Sequence, residues 1–160
     1  MDKQIIINGV GGQGVIFLSE ILSKVILKKG LSVKISETFG MAQRGGSVIS
    51  FLKIGDYSSP LIIPKDGDIL ICLHKDELEN GKFYLKENGL VYVNSDEYFN
   101  ATELALKYNN PKMTNIIFLG YITNDKKFPF NKEEIMEVLP DKSKEFFEIG
   151  YKEGKWARKL

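Results

Sequence analysis

Gln4 to Asn8 is a short, largely β-branched apolar run that leads into Gly9-Val10-Gly11-Gly12-Gln13-Gly14, and beyond it apolar side chains recur at Leu18, Ile21, Leu22 and Val25. The i, i+3, i+4, i+7 spacing of that second set predicts a helix, with Lys24, Lys28 and Lys29 on its other face and Gly30 as its stop signal. Val33 to Ser36 alternates as a second strand. Strand, glycine turn, helix and strand make a βαβ unit, which predicts a parallel sheet with right-handed crossovers. Ser47 to Ile54 reads as a further strand closed by a hairpin-like turn at Gly55-Asp56. Ser59 to Pro64 reads as an edge or linking extended segment, because its two prolines cannot donate to a ladder. Asp68 to Leu73 and Leu90 to Asn94 are compact apolar runs suited to buried strands, with short helices between them. The last third is predicted helical, at Ala101 to Lys107, Asn115 to Ile122, a segment opened by Asn131, and Asp141 to about Tyr151. Asn131 with Glu134 three residues on has the form of a capping box. The expected architecture is an α/β, Rossmann-like three-layer domain with a mostly parallel sheet and a helical C-terminal third, spanning residues 1–160 as one domain.

Composition narrows the partners. At 160 residues the chain fits one core. A balance of 22 basic against 21 acidic side chains leaves no surplus charge for a polyanion, so nucleic acid is not an expected partner. Runs such as Ile69 to Leu73 are far short of the roughly 20 apolar residues that span a bilayer, and Met1 to Gln4 lead straight into a strand without a signal peptide. The expectation is a cytoplasmic protein without membrane contact. Cys72 is the only cysteine. One thiol cannot supply the roughly four thiolates of an iron-sulfur cluster, so any cluster belongs on another chain, and no metal site is expected here.

Two glycine-bearing segments carry the candidate chemistry. Gly9, Gly11 and Gly14 fit G-x-G-x-x-G between a strand and a helix, where glycines permit a tight turn and leave room for a phosphate at the helix N-terminus. Glu37 follows Gly14 by 23 residues, near the roughly 20 expected of a ribose-binding carboxylate. A nicotinamide or nucleotide module is therefore one reading; the other is that the glycines serve only turn geometry and packing. His74, the only histidine, follows a buried strand with no second titratable residue visibly placed beside it, so no catalytic residue is assigned. Cys72 reads as a small core residue.

The second segment, Ser36-Glu37-Thr38-Phe39-Gly40-Met41-Ala42-Gln43-Arg44-Gly45-Gly46-Ser47-Val48, should leave the carboxyl end of the second strand, the edge where open α/β sheets present ligands. Gly45 and Gly46 let another surface approach closely, and Arg44 offers a planar fork of donors. Phe39 and Met41 beside an arginine have the composition of an interface core. The alternative is a solvated connection in which Arg44 makes a surface ion pair of about 0 to 1 kcal/mol.

Gly9 to Val15, Ser36-Glu37, Gly40 to Val48, Ser59 to Ile62 and Gly67-Asp68 together resemble the gamma-type domain of 2-oxoacid:ferredoxin oxidoreductases, and Met41 to Gly46 is similar to the beta subunit of the indolepyruvate branch of that family. Asn115 to Gly120 and Phe147 to Tyr151 resemble the family's later helices, so the likeness covers nearly the whole chain. The resemblance implies a subunit that supports thiamine-dependent oxidative decarboxylation of a 2-oxoacid, with electrons passing through iron-sulfur clusters to ferredoxin and coenzyme A taking the acyl group. It implies that thiamine diphosphate and clusters belong to a partner subunit and that this chain alone binds no cofactor and turns nothing over. The candidate interface or ligand residues are then Gly9, Gly11, Gly12, Gln13, Gly14, Met41, Gln43, Arg44, Gly45 and Gly46, with Gln43 and Arg44 foremost. A homodimer is the alternative assembly for the isolated chain. In one respect the chain departs from the family, which often has an acidic residue where this chain has His74.

Overall fold

The computed structural model describes residues 1–39 and 46–157. These fall into two compact units, Met1–Val93 and Asn94–Leu160.

The first unit is a five-stranded sheet. Its strands are β1 (Lys3–Val10), β2 (Val33–Phe39), β3 (Ser47–Ile54), β4 (Gly67–Cys72) and β5 (Leu85–Val93), in the order β2-β3-β1-β4-β5. β1 pairs in parallel with β4 and β4 with β5, whereas β3 runs antiparallel to both β1 and β2. Four strands therefore share one direction and β3 alone opposes them. The expected unit of β1, α1 (Val15–Lys28) and β2 is present, but its two strands are not neighbours, because β3 is threaded between them. β5 also begins at Leu85, earlier than its apolar run suggests, and Ser59 to Pro64 is a connection rather than a strand, with Ile62 buried.

Strand pairing sorts the side chains onto two faces. Ile5, Ile7, Leu52, Ile69 and Ile71 share one face by register, and α1 covers it: Ser19 of α1 and Ser50 of β3 hydrogen-bond through their hydroxyls in the buried interior. Ile6, Phe51 and Leu70 point the other way into a core with Ile62, Leu85 and Val93, and Leu78 packs against it. Leu78 opens α2 (Leu78–Lys82), so helices lie on both faces and the unit has three layers. Both faces buried explains why β1 and β4 read as continuous apolar runs. Helix α1 stops as expected at Gly30, whose φ of +77° lets the chain turn out of the helix.

The second unit is helical, with α3 (Ala101–Lys107), α4 (Thr114–Thr123), α5 (Lys132–Met136) and α6 (Asp141–Ala157). Asn94 sets the first of these, its Oδ1 accepting from the Ala101 amide at 2.7 Å and its Nδ2 donating to Thr102 Oγ1 at 2.9 Å. The capping box at Asn131 and Glu134 is formed. α4 is buried from Asn115 through Gly120, as a helix apolar on all sides should be. It crosses α6 where glycines face the opposite backbone: a Cβ on Gly120 would lie 2.1 Å from the Phe147 carbonyl oxygen, and one on Gly150 would lie 1.8 Å from that of Ile117. No described helix is long and apolar enough to cross a membrane.

Candidate functional site at the carboxyl rim of the sheet

β1, β2 and β4 all end at one rim, and β3 starts there. The turn after β1 carries Gly12 at φ +93° and Gly14 at φ +83°, both in the left-handed region that favours glycine, and Gly14 stands at the N-cap of α1. The amide of Gly11 donates to the carbonyl of Gly46 at 2.8 Å, so the two glycine-bearing segments meet at this rim. Met41, Gln43, Arg44 and Gly45 lie outside the described residues.

The turn is not open for a pyrophosphate. The side chain of Gln13 folds back across it, its Oε1 accepting from the Val10 amide at 2.9 Å and its Nε2 donating to the Leu73 carbonyl at 3.3 Å. Gly9 is needed for this arrangement, because a Cβ there would lie 2.7 Å from Gln13 Oε1. Glu37 is exposed on β2, and with β3 interposed β2 lies about 10 Å from β1, twice the spacing of neighbouring strands. A ribose held at the β1 turn is then out of reach of that carboxylate. The sequence pattern of a dinucleotide site is present, and the strand order dismantles it.

Residues that the sequence pattern did not single out organise the opposite face of the rim. Asn8 near the end of β1 pairs in register with Ile49, and Ile49 pairs with Thr38; Val10 pairs with Ser47. Asn8, Thr38, Ile49 and Ser47 consequently share the face covered by α2. Between them and α2 is a cleft of about 390 Å³ lined also by Glu77, Glu79, Asn80, Phe83 and Tyr84. Asn8 is 1% exposed. Its Nδ2 donates to the Glu77 carbonyl at 2.7 Å, tying β1 to the turn after β4, and its Oδ1 is buried without a hydrogen-bond partner. Both carboxylate oxygens of Glu77 are held, Oε1 by the Ser47 hydroxyl and Oε2 by the Asn80 amide, each at 2.8 Å. The one sequence signal for this site is an asparagine closing an otherwise apolar strand that is buried on both faces.

His74 sits at the same rim as a capping residue. Its Nδ1 accepts from the Asp76 amide at 3.2 Å at the start of the short helical turn Lys75–Glu77. Cys72 is buried and donates its thiol to the His74 carbonyl at 3.0 Å. Burial pushes that thiol up to about 11 and the nearby Glu77 charge adds to the effect, while the bond to His74 works against it. A thiol held protonated and turned into the core does not fit the ligand set of an iron-sulfur cluster, which needs thiolates. Among the described residues, no three or more histidine, cysteine or acidic side chains are grouped to hold a metal ion.

A three-layer sheet with a glycine turn at its carboxyl rim and a helical second unit defines an α/β, Rossmann-like class of protein. Residues 4–152 match the family described as pyruvate ferredoxin/flavodoxin oxidoreductase, and the chain belongs to that family. Among its relatives, the indolepyruvate oxidoreductase subunit IorB of Archaeoglobus fulgidus is 31% identical, over 90% of this chain and 87% of the relative. IorB of Pyrococcus horikoshii is 29% identical, over 86% and 85%. The crystal structure of a keto/oxoacid ferredoxin oxidoreductase gamma subunit from Geobacter sulfurreducens has the same fold, with a TM-score of 0.76 at 22% identity, over 96% of this chain and 99% of that one.

Proposed function

We propose that this chain is the gamma-type subunit of a cytoplasmic 2-oxoacid:ferredoxin oxidoreductase of the indolepyruvate branch, and that residues 1–160 act in it as one domain. In this reading a partner subunit carries thiamine diphosphate and the iron-sulfur clusters, coenzyme A accepts the acyl group, and ferredoxin takes electrons from the complex. The chain contributes a rim that meets the partner. The observation that carries the reading is the bond from Gly11 to Gly46, which joins both glycine-bearing segments on one edge of the sheet. A buried strand end, a closed glycine turn and an adjoining cleft give that edge the fixed shape that docking requires. Gln13 supports the edge from within by linking the glycine turn to the end of β4. The thiamine group, bound on the partner, supplies the decarboxylation chemistry; this chain's residues hold the shape of the docking edge.

The reading is tested by co-producing the chain with the thiamine- and cluster-bearing subunit of its own organism. The expected outcome is a stable complex that reduces ferredoxin with a 2-oxoacid and coenzyme A, from which Arg44→Ala removes affinity or turnover, whereas the isolated chain does neither. Co-purification failing under all salt conditions, or full turnover by the partner alone, would refute it.

A further inference from the structure

The cleft between α2 and the sheet has a charge and a shape that specify an occupant. Glu77 is fixed by two neutral donors, which orient its carboxylate without cancelling its charge. Glu79 brings a second carboxylate to the same wall. Among the described residues, no ion pair reaches either of them. Phe83, 58% exposed, and Tyr84 stand edge to face with ring centres 5.0 Å apart and present aromatic surface to the cleft. Asn8 adds a buried acceptor without a donor. Such an orphaned atom has lost its water without replacement unless something supplies the missing hydrogen bond.

The geometry points to a cationic side chain of the partner subunit, an arginine, as the occupant of this cleft. Two carboxylates and an amide oxygen are all acceptors, and a guanidinium is all donors, five of them in a planar fork. Its flat face also stacks on aromatic rings, which an ammonium does less well. An anionic ligand would meet two negative charges and find no cation among the described cleft residues. The inference rests on the reading that this rim meets a partner subunit and adds the chemistry of the contact.

The test measures the affinity of the chain for the thiamine- and cluster-bearing subunit, by titration at low and high salt, for the wild type and for Glu77→Gln, Glu79→Gln and Glu79→Lys. Because Glu79 is exposed, its variants should fold normally, and thermal melting of each isolated variant checks this. The expected result is that each glutamine variant binds about tenfold more weakly, that Glu79→Lys binds more weakly still, and that raising salt weakens the wild type far more than the variants. Tight wild-type binding with unchanged affinity in every variant would overturn the cleft assignment and leave the proposed function intact. A loss of affinity equal at all salt concentrations would also overturn it, since a charge contact must be screened. Failure of the wild type itself to bind would overturn the proposed function and the cleft assignment together.

Discussion

Replacing Gly150 by alanine should destabilise the helical unit by about 1 to 2 kcal/mol, although alanine is the better helix former. A methyl group at this position would lie 1.8 Å from the carbonyl oxygen of Ile117, 2.7 Å from its carbonyl carbon and 3.0 Å from its Cα. All three are backbone atoms of α4, so no change of rotamer relieves the clash. α6 would have to withdraw by at least about 1.2 Å, and a gap of that size forfeits a quarter or more of the contact energy along the seam. Ile117 and Phe147, both fully buried, lie on that seam. Helix propensity favours alanine by about 1 kcal/mol, and overpacking against rigid backbone typically costs about 1 to 3 kcal/mol or more, so the loss wins. Urea unfolding followed by far-ultraviolet circular dichroism measures the difference. Gly120→Ala, 2.1 Å from the Phe147 oxygen, should behave alike, while Gly154→Ala should lose less, because its closest contact is the Tyr121 ring edge at 2.7 Å. Equal or greater stability of Gly150→Ala, or a larger loss in Gly154→Ala, would refute the close-crossing account.

Cys72 should leave a pH signature. Its thiol ionises at 9.0 in the unfolded chain and at about 11 when folded, so the stability it contributes is complete below pH 9 and declines as pH rises to 11. Compared with Cys72→Ala by urea unfolding, the wild type should lose its advantage across that interval; a constant difference would count against the buried thiol. Asn131→Ala removes the cap on Glu134 and should cost about 1 kcal/mol in the same measurement, and a change near zero would mean that α5 does not depend on its cap. Calorimetric titration with NAD should give no saturable heat, because β3 separates Glu37 from the glycine turn and Gln13 fills the turn; saturable binding abolished by Gly11→Ala would contradict that argument.

Local features were legible in the sequence. The period of Leu18, Ile21, Leu22 and Val25, the Gly30 stop, the Asn131 capping box and the glycine turn depend on neighbours within a few residues, where steric and hydrogen-bonding preferences act directly. The combination of Gly9 to Gly14 with Gly40 to Val48 also pointed to the family that residues 4–152 match.

What only the tertiary structure decided depends on pairings between distant segments. Ser47 to Ile54 reads as a strand, but nothing within it says that it will enter between β1 and β2 and run against both. That single insertion puts Glu37 out of reach of the glycine turn and so breaks up the dinucleotide pattern. Gln13 became a plug because Leu73, 60 residues away, offers its carbonyl. Asn8 became the floor of an acidic cleft because the Glu77 carbonyl, 69 residues on, meets its amide. The glycines of α4 and α6 became a helix crossing because each stands against the other's backbone. Sequence period reports which face of an element is apolar; which element that face meets is settled by the packing of the whole chain.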